Sequence, residues 1–112
     1  MPTPLMLKQG EAKTLTLTVK EDGAPADLTG ATLFLGVKKI KSDQEYTFSK
    51  DDEDFDKGQA AQGTVSIFLA AADTGQEPGP YVGELKVTFP GSPQVVEKSG
   101  DLALVVQEAV TV

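Results

Sequence analysis

Between Lys13 and Lys20 the chain alternates without a break: Leu15, Leu17 and Val19 fall on one side, and Thr14, Thr16, Thr18 and Lys20 on the other. A repeat of two marks a strand with one buried face, so this stretch predicts a strand. Leu5 to Leu7 predicts a shorter one before it, set off by Gln9-Gly10. The run Glu21-Asp22-Gly23-Ala24-Pro25 predicts a turn, because Gly tolerates positive φ and Pro sets the exit direction. The alternation then returns, with Ala31, Leu33, Leu35 and Val37 opposite Thr32, Phe34, Gly36 and Lys38. Leu28, just ahead of it, is expected to plug one end of the core. From Gly63 a further strand places Val65, Ile67 and Leu69 inward and Thr64, Ser66 and Phe68 outward.

Residues 39–62 are the least regular part. Glu45 to Ser49 predicts a short edge strand, and Asp51 to Gly58 a polar acidic loop. Ala70 to Asp73 predicts one helical turn that ends at Thr74-Gly75. The corner Glu77-Pro78-Gly79-Pro80 leads into Tyr81 to Phe89, where Tyr81, Gly83, Leu85, Val87 and Phe89 share a face opposite Val82, Glu84, Lys86 and Thr88. Pro90 to Pro93 turns the chain back. The last strand, Gln94 to Gln107, is expected to be interrupted at Ser99-Gly100, and its second half puts Leu102, Leu104 and Val106 inward.

These elements predict an all-β domain, an immunoglobulin-like β-sandwich of about seven antiparallel strands. No internal repeat and no linker divides the 112 residues, so residues 1–112 are expected to form one domain with its core between 5 and 107. Tyr81, which follows a Pro-Gly-Pro corner at the start of a late strand, matches the tyrosine-corner position of such folds, where the hydroxyl bonds nearby backbone.

Composition then narrows the chemistry. The chain has no Cys, His or Arg, which removes disulfides, thiol nucleophiles, the usual zinc ligands and the commonest general base. Its ten cations are all Lys against 17 acids, a net charge of −7. Neither the sign nor the lack of Arg suits a phosphate backbone, so nucleic acid is not expected as a partner. The first ten residues lack a basic segment followed by an apolar one, and no apolar run approaches membrane-span length. Neither a signal peptide nor a membrane is therefore expected.

The order Lys8-Gln9-Gly10-Glu11, the strand from Thr14 to Val19, and Gly23-Ala-Pro-Ala-Asp-Leu-Thr-Gly-Ala-Thr32 resemble the immunoglobulin-like domain of phage baseplate upper proteins. Gly63-Thr-Val-Ser-Ile-Phe-Leu69, Ala72-Asp-Thr74 and Pro78-Gly-Pro-Tyr81 leading into Glu84-Leu-Lys-Val87 extend the resemblance over roughly residues 5 to 107. All are turn and strand signatures. What the resemblance implies is a tail-associated structural role in the virion of a phage or prophage, made in the host cytoplasm. Other tail or baseplate proteins, and further copies of the chain, would be the partners. Baseplate upper proteins continue past this domain into segments that carry receptor-binding proteins, so the chain is expected to be the docking module alone or a small stand-alone virion protein.

Three groups of residues invite a chemical role. Asp52, Asp54 and Asp56 alternate as in a calcium loop, but the sixth and twelfth positions of such a loop need Gly and Glu and here hold Lys57 and Gly63. A solvated loop is the preferred reading, with no metal. Paired carboxylates for glycoside hydrolysis must flank a cleft, one of them with a raised pKa. The acids here fall in turns and on outward positions, so no enzyme and no catalytic or cofactor-binding residue is expected. Phe34 and Phe68 stand out because each takes an outward slot in a strand whose inward slots are already filled. Aromatics anchor protein interfaces, and these two are the candidate partner-binding residues, set against the alternative that a loop from 39–62 folds over them. In this fold they would leave opposite outer faces. The rival function, a carbohydrate-binding or adhesive immunoglobulin-like module, wants clustered exposed aromatics and export, and the chain has no Trp and two separated Tyr.

Overall fold

The computed structural model describes residues 5–21, 23–98 and 102–110. In chain order the strands are β1 (Leu5–Lys8), β2 (Lys13–Thr18), β3 (Lys20–Glu21), β4 (Ala24–Pro25), β5 (Thr32–Lys38), β6 (Phe48–Lys50), β7 (Phe55–Asp56), β8 (Thr64–Leu69), β9 (Gly79–Phe89), β10 (Val95–Lys98) and β11 (Leu102–Gln107). One helical turn, α1 (Ala71–Thr74), follows β8. The larger sheet runs β1-β11-β9-β5-β6, with β10 also paired to β9; the smaller is β2-β8-β7. Packed together they make the expected sandwich. β3 and β4 form a separate two-stranded ribbon.

The core lies between the sheets and comes from the inward alternation. Leu33, Val37, Val65, Ile67 and Leu69 are essentially inaccessible, and Leu15, Leu35, Leu85, Val87, Leu104 and Val106 are buried with them. Leu28 is completely buried, as expected of an end plug. Leu17, Val19 and Leu102 are half-buried instead of fully enclosed. Leu17 belongs to edge strand β2, Leu102 begins β11, and Val19 lies where the chain leaves the sheet.

Four details differ from the sequence expectation. The alternation through Lys20 does not continue one strand: β2 ends at Thr18, and Lys20 and Glu21 pair with Pro25 and Ala24 in the ribbon. The cause is a close crossing, where Val19 N donates to Gly63 O at 2.7 Å. A Cβ on Gly63 would come within 2.6 Å of Val19 O, and its φ of 77° is one that Gly adopts at no steric cost. The edge strand expected at Glu45 to Ser49 is found at Phe48–Lys50, because Tyr46 is used to cover the sheet face. Asp51 to Gly58 is not simply a loop. It holds a 3₁₀ turn over Asp52–Asp54 and then β7, which pairs Phe55 with Ile67 and buries the ring.

Finally, β1 pairs with β11 in parallel, Leu5 opposite Leu104 through Lys8 opposite Gln107, while the other strand pairs are antiparallel. The chain passes directly from β1 in one sheet to β2 in the other, so no hairpin joins β1 to a neighbour. The interruption expected at Ser99-Gly100 lies outside the described residues; the strands flanking it are β10 and β11.

Candidate interaction surfaces

Alternation leaves each sheet an outer face, and the two faces differ. On the smaller sheet β2 and β8 contribute Thr14, Thr16, Thr18, Thr64 and Ser66, all short and polar. Thr16 Oγ1 and Ser66 Oγ are 3.2 Å apart, and Thr18 Oγ1 and Thr64 Oγ1 are 3.4 Å apart. Phe68 stands in this field opposite Thr14, 56% exposed.

On the larger sheet Phe34 is half-buried. Its cover is Tyr46, from the irregular segment after β5: the two rings lie 5.3 Å apart between centroids and are tilted by 59°. Gly36 makes room for this, since a Cβ there would collide with the Tyr46 ring. Lys38 Nζ lies 5.4 Å from the Tyr46 centroid and Lys86 Nζ 5.3 Å from that of Phe34, within cation–π range. Tyr46 itself remains 52% exposed. Beside it a shallow cleft of about 220 Å³ is lined by Gly36, Lys38, Lys41, Val82, Gly83 and Glu84. Phe34 and Phe68 are therefore not brought together. They leave opposite faces, Phe34 under a partial roof and Phe68 bare.

The acidic segment spends its carboxylates on separate local partners. Asp52 Oδ1 accepts from Leu33 N at 2.9 Å and from Lys57 Nζ at 2.8 Å, while Lys57 also reaches Ala31 O at 3.2 Å. The Lys57 hydrogen bond first, and the Leu33 amide second, hold the Asp52 carboxyl below its ordinary pKa. Asp54 accepts from Asp51 N, and Asp56 from Gly58 N. This ties the segment to the start of β5. A second tie on the same side joins the sheets: Lys50 of β6 meets Asp73 of α1 at 2.7 Å, with both side chains largely enclosed. Neither tie was legible in the sequence, where the partners carry no common motif.

Tyr81 behaves as its corner position predicts. The ring is buried and its hydroxyl donates to Glu77 O at 2.6 Å. Among the described residues no helix is long and apolar enough to cross a membrane.

Two packed sheets and a late-strand tyrosine corner make this an immunoglobulin-like β-sandwich. No protein-family profile matches the chain. No curated protein matches it either. Among solved structures it is similar to the N-terminal domain of phage TP901-1 ORF48, with a TM-score of 0.68 and 13% identity, over 94% of this chain and 85% of that one. It is also similar to a chain in the structural study of T cell specificity and activation by the bacterial superantigen toxic shock syndrome toxin-1, with a TM-score of 0.50, 14% identity and coverage of 95% and 94%. A weaker likeness, with a TM-score of 0.38 and 12% identity over 94% and 91% of the chains, is to AggA, the major subunit of aggregative adherence fimbriae type I from Escherichia coli. At these identities the shared property is the fold.

Proposed function

We propose that this chain is a non-enzymatic structural and interaction module of a phage or prophage tail or baseplate, joining tail components in the virion. The observation that carries the reading is the likeness in fold to the N-terminal domain of a phage protein across 94% of the chain. The surface is in keeping with it. The candidate contact residues stand on two opposite faces, and a component held between neighbours needs two different surfaces. On one face the anchor is Phe68; on the other it is the Phe34–Tyr46 pair, because Tyr46 covers part of Phe34.

The test is mass spectrometry of gradient-purified particles from the strain that encodes the chain, with heads and tails separated before digestion. The chain should be recovered in the tail fraction at a fixed ratio to other tail proteins. Recovery only from the cell envelope or the soluble lysate would overturn the proposal. An adhesive or sugar-binding module would be found there instead.

A further inference from the structure

Across the outer face of the larger sheet one row of positions runs Lys98, Lys86, Phe34 and Asp51. The strand register sets it. Lys98 stands opposite Lys86, and Lys86 opposite Phe34. On the far side Leu35 pairs with Lys50, so the chain passes Phe34 as it enters Asp51 and the Asp52–Asp54 turn. The bond from Leu33 N to Asp52 holds that turn at the same end of β5. The face therefore carries lysines toward the β10 edge and carboxylates at the β6 edge, with Phe34 and Tyr46 in the middle beside one charge of each sign, Lys38 and Glu84.

At neither end do these charges form ion pairs among the described residues. Lys86 and Lys98 are exposed and directly opposed, and neither forms an ion pair among the described residues. Like charges in that position destabilise an isolated sheet. At the other end Asp51, Glu53 and Asp54 are exposed, and none of them pairs with a lysine among the described residues. Among the described residues, Asp52 alone in that segment has its cation, Lys57.

We propose that this face is the interface of a two-fold homodimer. A two-fold axis near Tyr46 turns a second copy so that its acidic turn meets Lys86 and Lys98, while its own lysines meet the acidic turn of the first. A surface with opposite charges on either side of an aromatic centre is self-complementary under that operation, as an isologous contact must be. Tyr46, half-exposed in the single chain, becomes the central anchor, the place where interface energy concentrates. A head-to-tail contact would engage only one charged end of the face on each copy. The inference rests on the face itself and not on the tail reading.

Because each copy carries −7, salt weakens the repulsion between copies as well as the attraction at the face. Charge reversal is the sharper instrument. Sedimentation velocity up to roughly 1 mM, where even a weak contact populates the complex, should show wild type in a monomer–dimer equilibrium of 11.8 kDa chains. Lys86→Glu with Lys98→Glu should lower association by roughly tenfold or more, and so should Asp51→Lys with Glu53→Lys. An equimolar mixture of the two variants should regain dimers containing one of each. Phe68→Ser, on the opposite face, should leave the dimer intact. Far-UV circular dichroism and melting establish that each variant is folded; if a double reversal is not, Lys86→Ala and Asp51→Ala take its place. A monomeric wild type, oligomers that grow beyond the dimer, or folded variants that fail to reassociate on mixing would each overturn the proposal.

Discussion

The two outer faces of this sandwich carry the same sequence signal and meet different fates. Each has one phenylalanine in an outward slot, Phe34 on β5 and Phe68 on β8. Phe34 gains a tilted ring neighbour because residues 39–47 fold back over Gly36, and Lys86 of the adjacent strand β9 lies over its ring. Phe68 keeps 56% of its surface exposed among Thr and Ser. Alternation tells which way a side chain points, and that depends only on the pleat. Whether anything lies above it depends on where a distant irregular segment lands, which no local period encodes. An aromatic in an outward slot is thus an ambiguous sign, and only its surroundings separate a roofed residue from an available one.

The largest effect should come from beneath both faces. Leu35 is buried between the sheets, inward of Phe34 on the same strand. Leu35→Ala should cost about 2–5 kcal/mol by urea unfolding, since it removes packed methyl groups and leaves a cavity. A loss below about 1 kcal/mol would mean that the sheets close over the gap. The faces themselves come next. Phe34→Ser removes a half-buried ring with its Tyr46 and Lys86 contacts and should cost about 1–3 kcal/mol. Phe68→Ser should stay within about 0.5 kcal/mol. Both variants should remain folded, and equal losses would erase the distinction between the faces.

A smaller effect is expected at the corner. Tyr81→Phe keeps the buried ring and removes the hydroxyl bond to Glu77 O. A single neutral hydrogen bond is worth about 0.5–1.5 kcal/mol net, and thermal unfolding should show a loss in that range. It should leave Phe34 and Phe68 behaviour unchanged, because the bond closes the turn ahead of β9 and touches neither outer face.

What was legible in the sequence follows the same line. Strands β2, β5, β8 and β9 are long enough for the period of two to declare itself, and their inward residues, with Leu17 and Phe89 only partly enclosed, are the core that was expected. Leu28 and the Tyr81 corner were legible too, because turn chemistry is local. Phe55 was missed. β7 has two residues inside an acidic stretch, too few to show a period, and only its pairing with Ile67 makes it a strand. The parallel pairing of β1 with β11 joins the two ends of the chain, beyond any local pattern. Of the candidate site, the outward placement of Phe34 and Phe68 was legible. The Tyr46 roof, the Lys86–Lys98 opposition and the Lys50–Asp73 tie depend on cross-strand register and loop path, which single-strand periodicity does not carry.

The last effect, smaller than those at Leu35 and Phe34, concerns the tie at the edge of the roofed face. Asp52 uses one oxygen for two jobs, accepting from Leu33 N and from Lys57 Nζ. Asp52→Asn keeps an oxygen for the Leu33 amide and removes the charge that holds Lys57. The side chains are about a third exposed, so solvent screens the pair, and the cost at neutral pH should be about 0.5–1 kcal/mol. Its pH dependence is what identifies the cause. The folded-state pKa of Asp52 lies below the ordinary 3.8, so the folded form binds the proton less readily than the unfolded form. The stabilisation is then fully present above 3.8 and is lost as pH falls through the lower folded value. Urea unfolding of wild type and Asp52→Asn should differ at pH 7, and the two should converge below pH 3.8. A difference that persists unchanged into acid would mean that the Asn disturbs the turn by its shape, and that the charge contributes nothing to closing this edge.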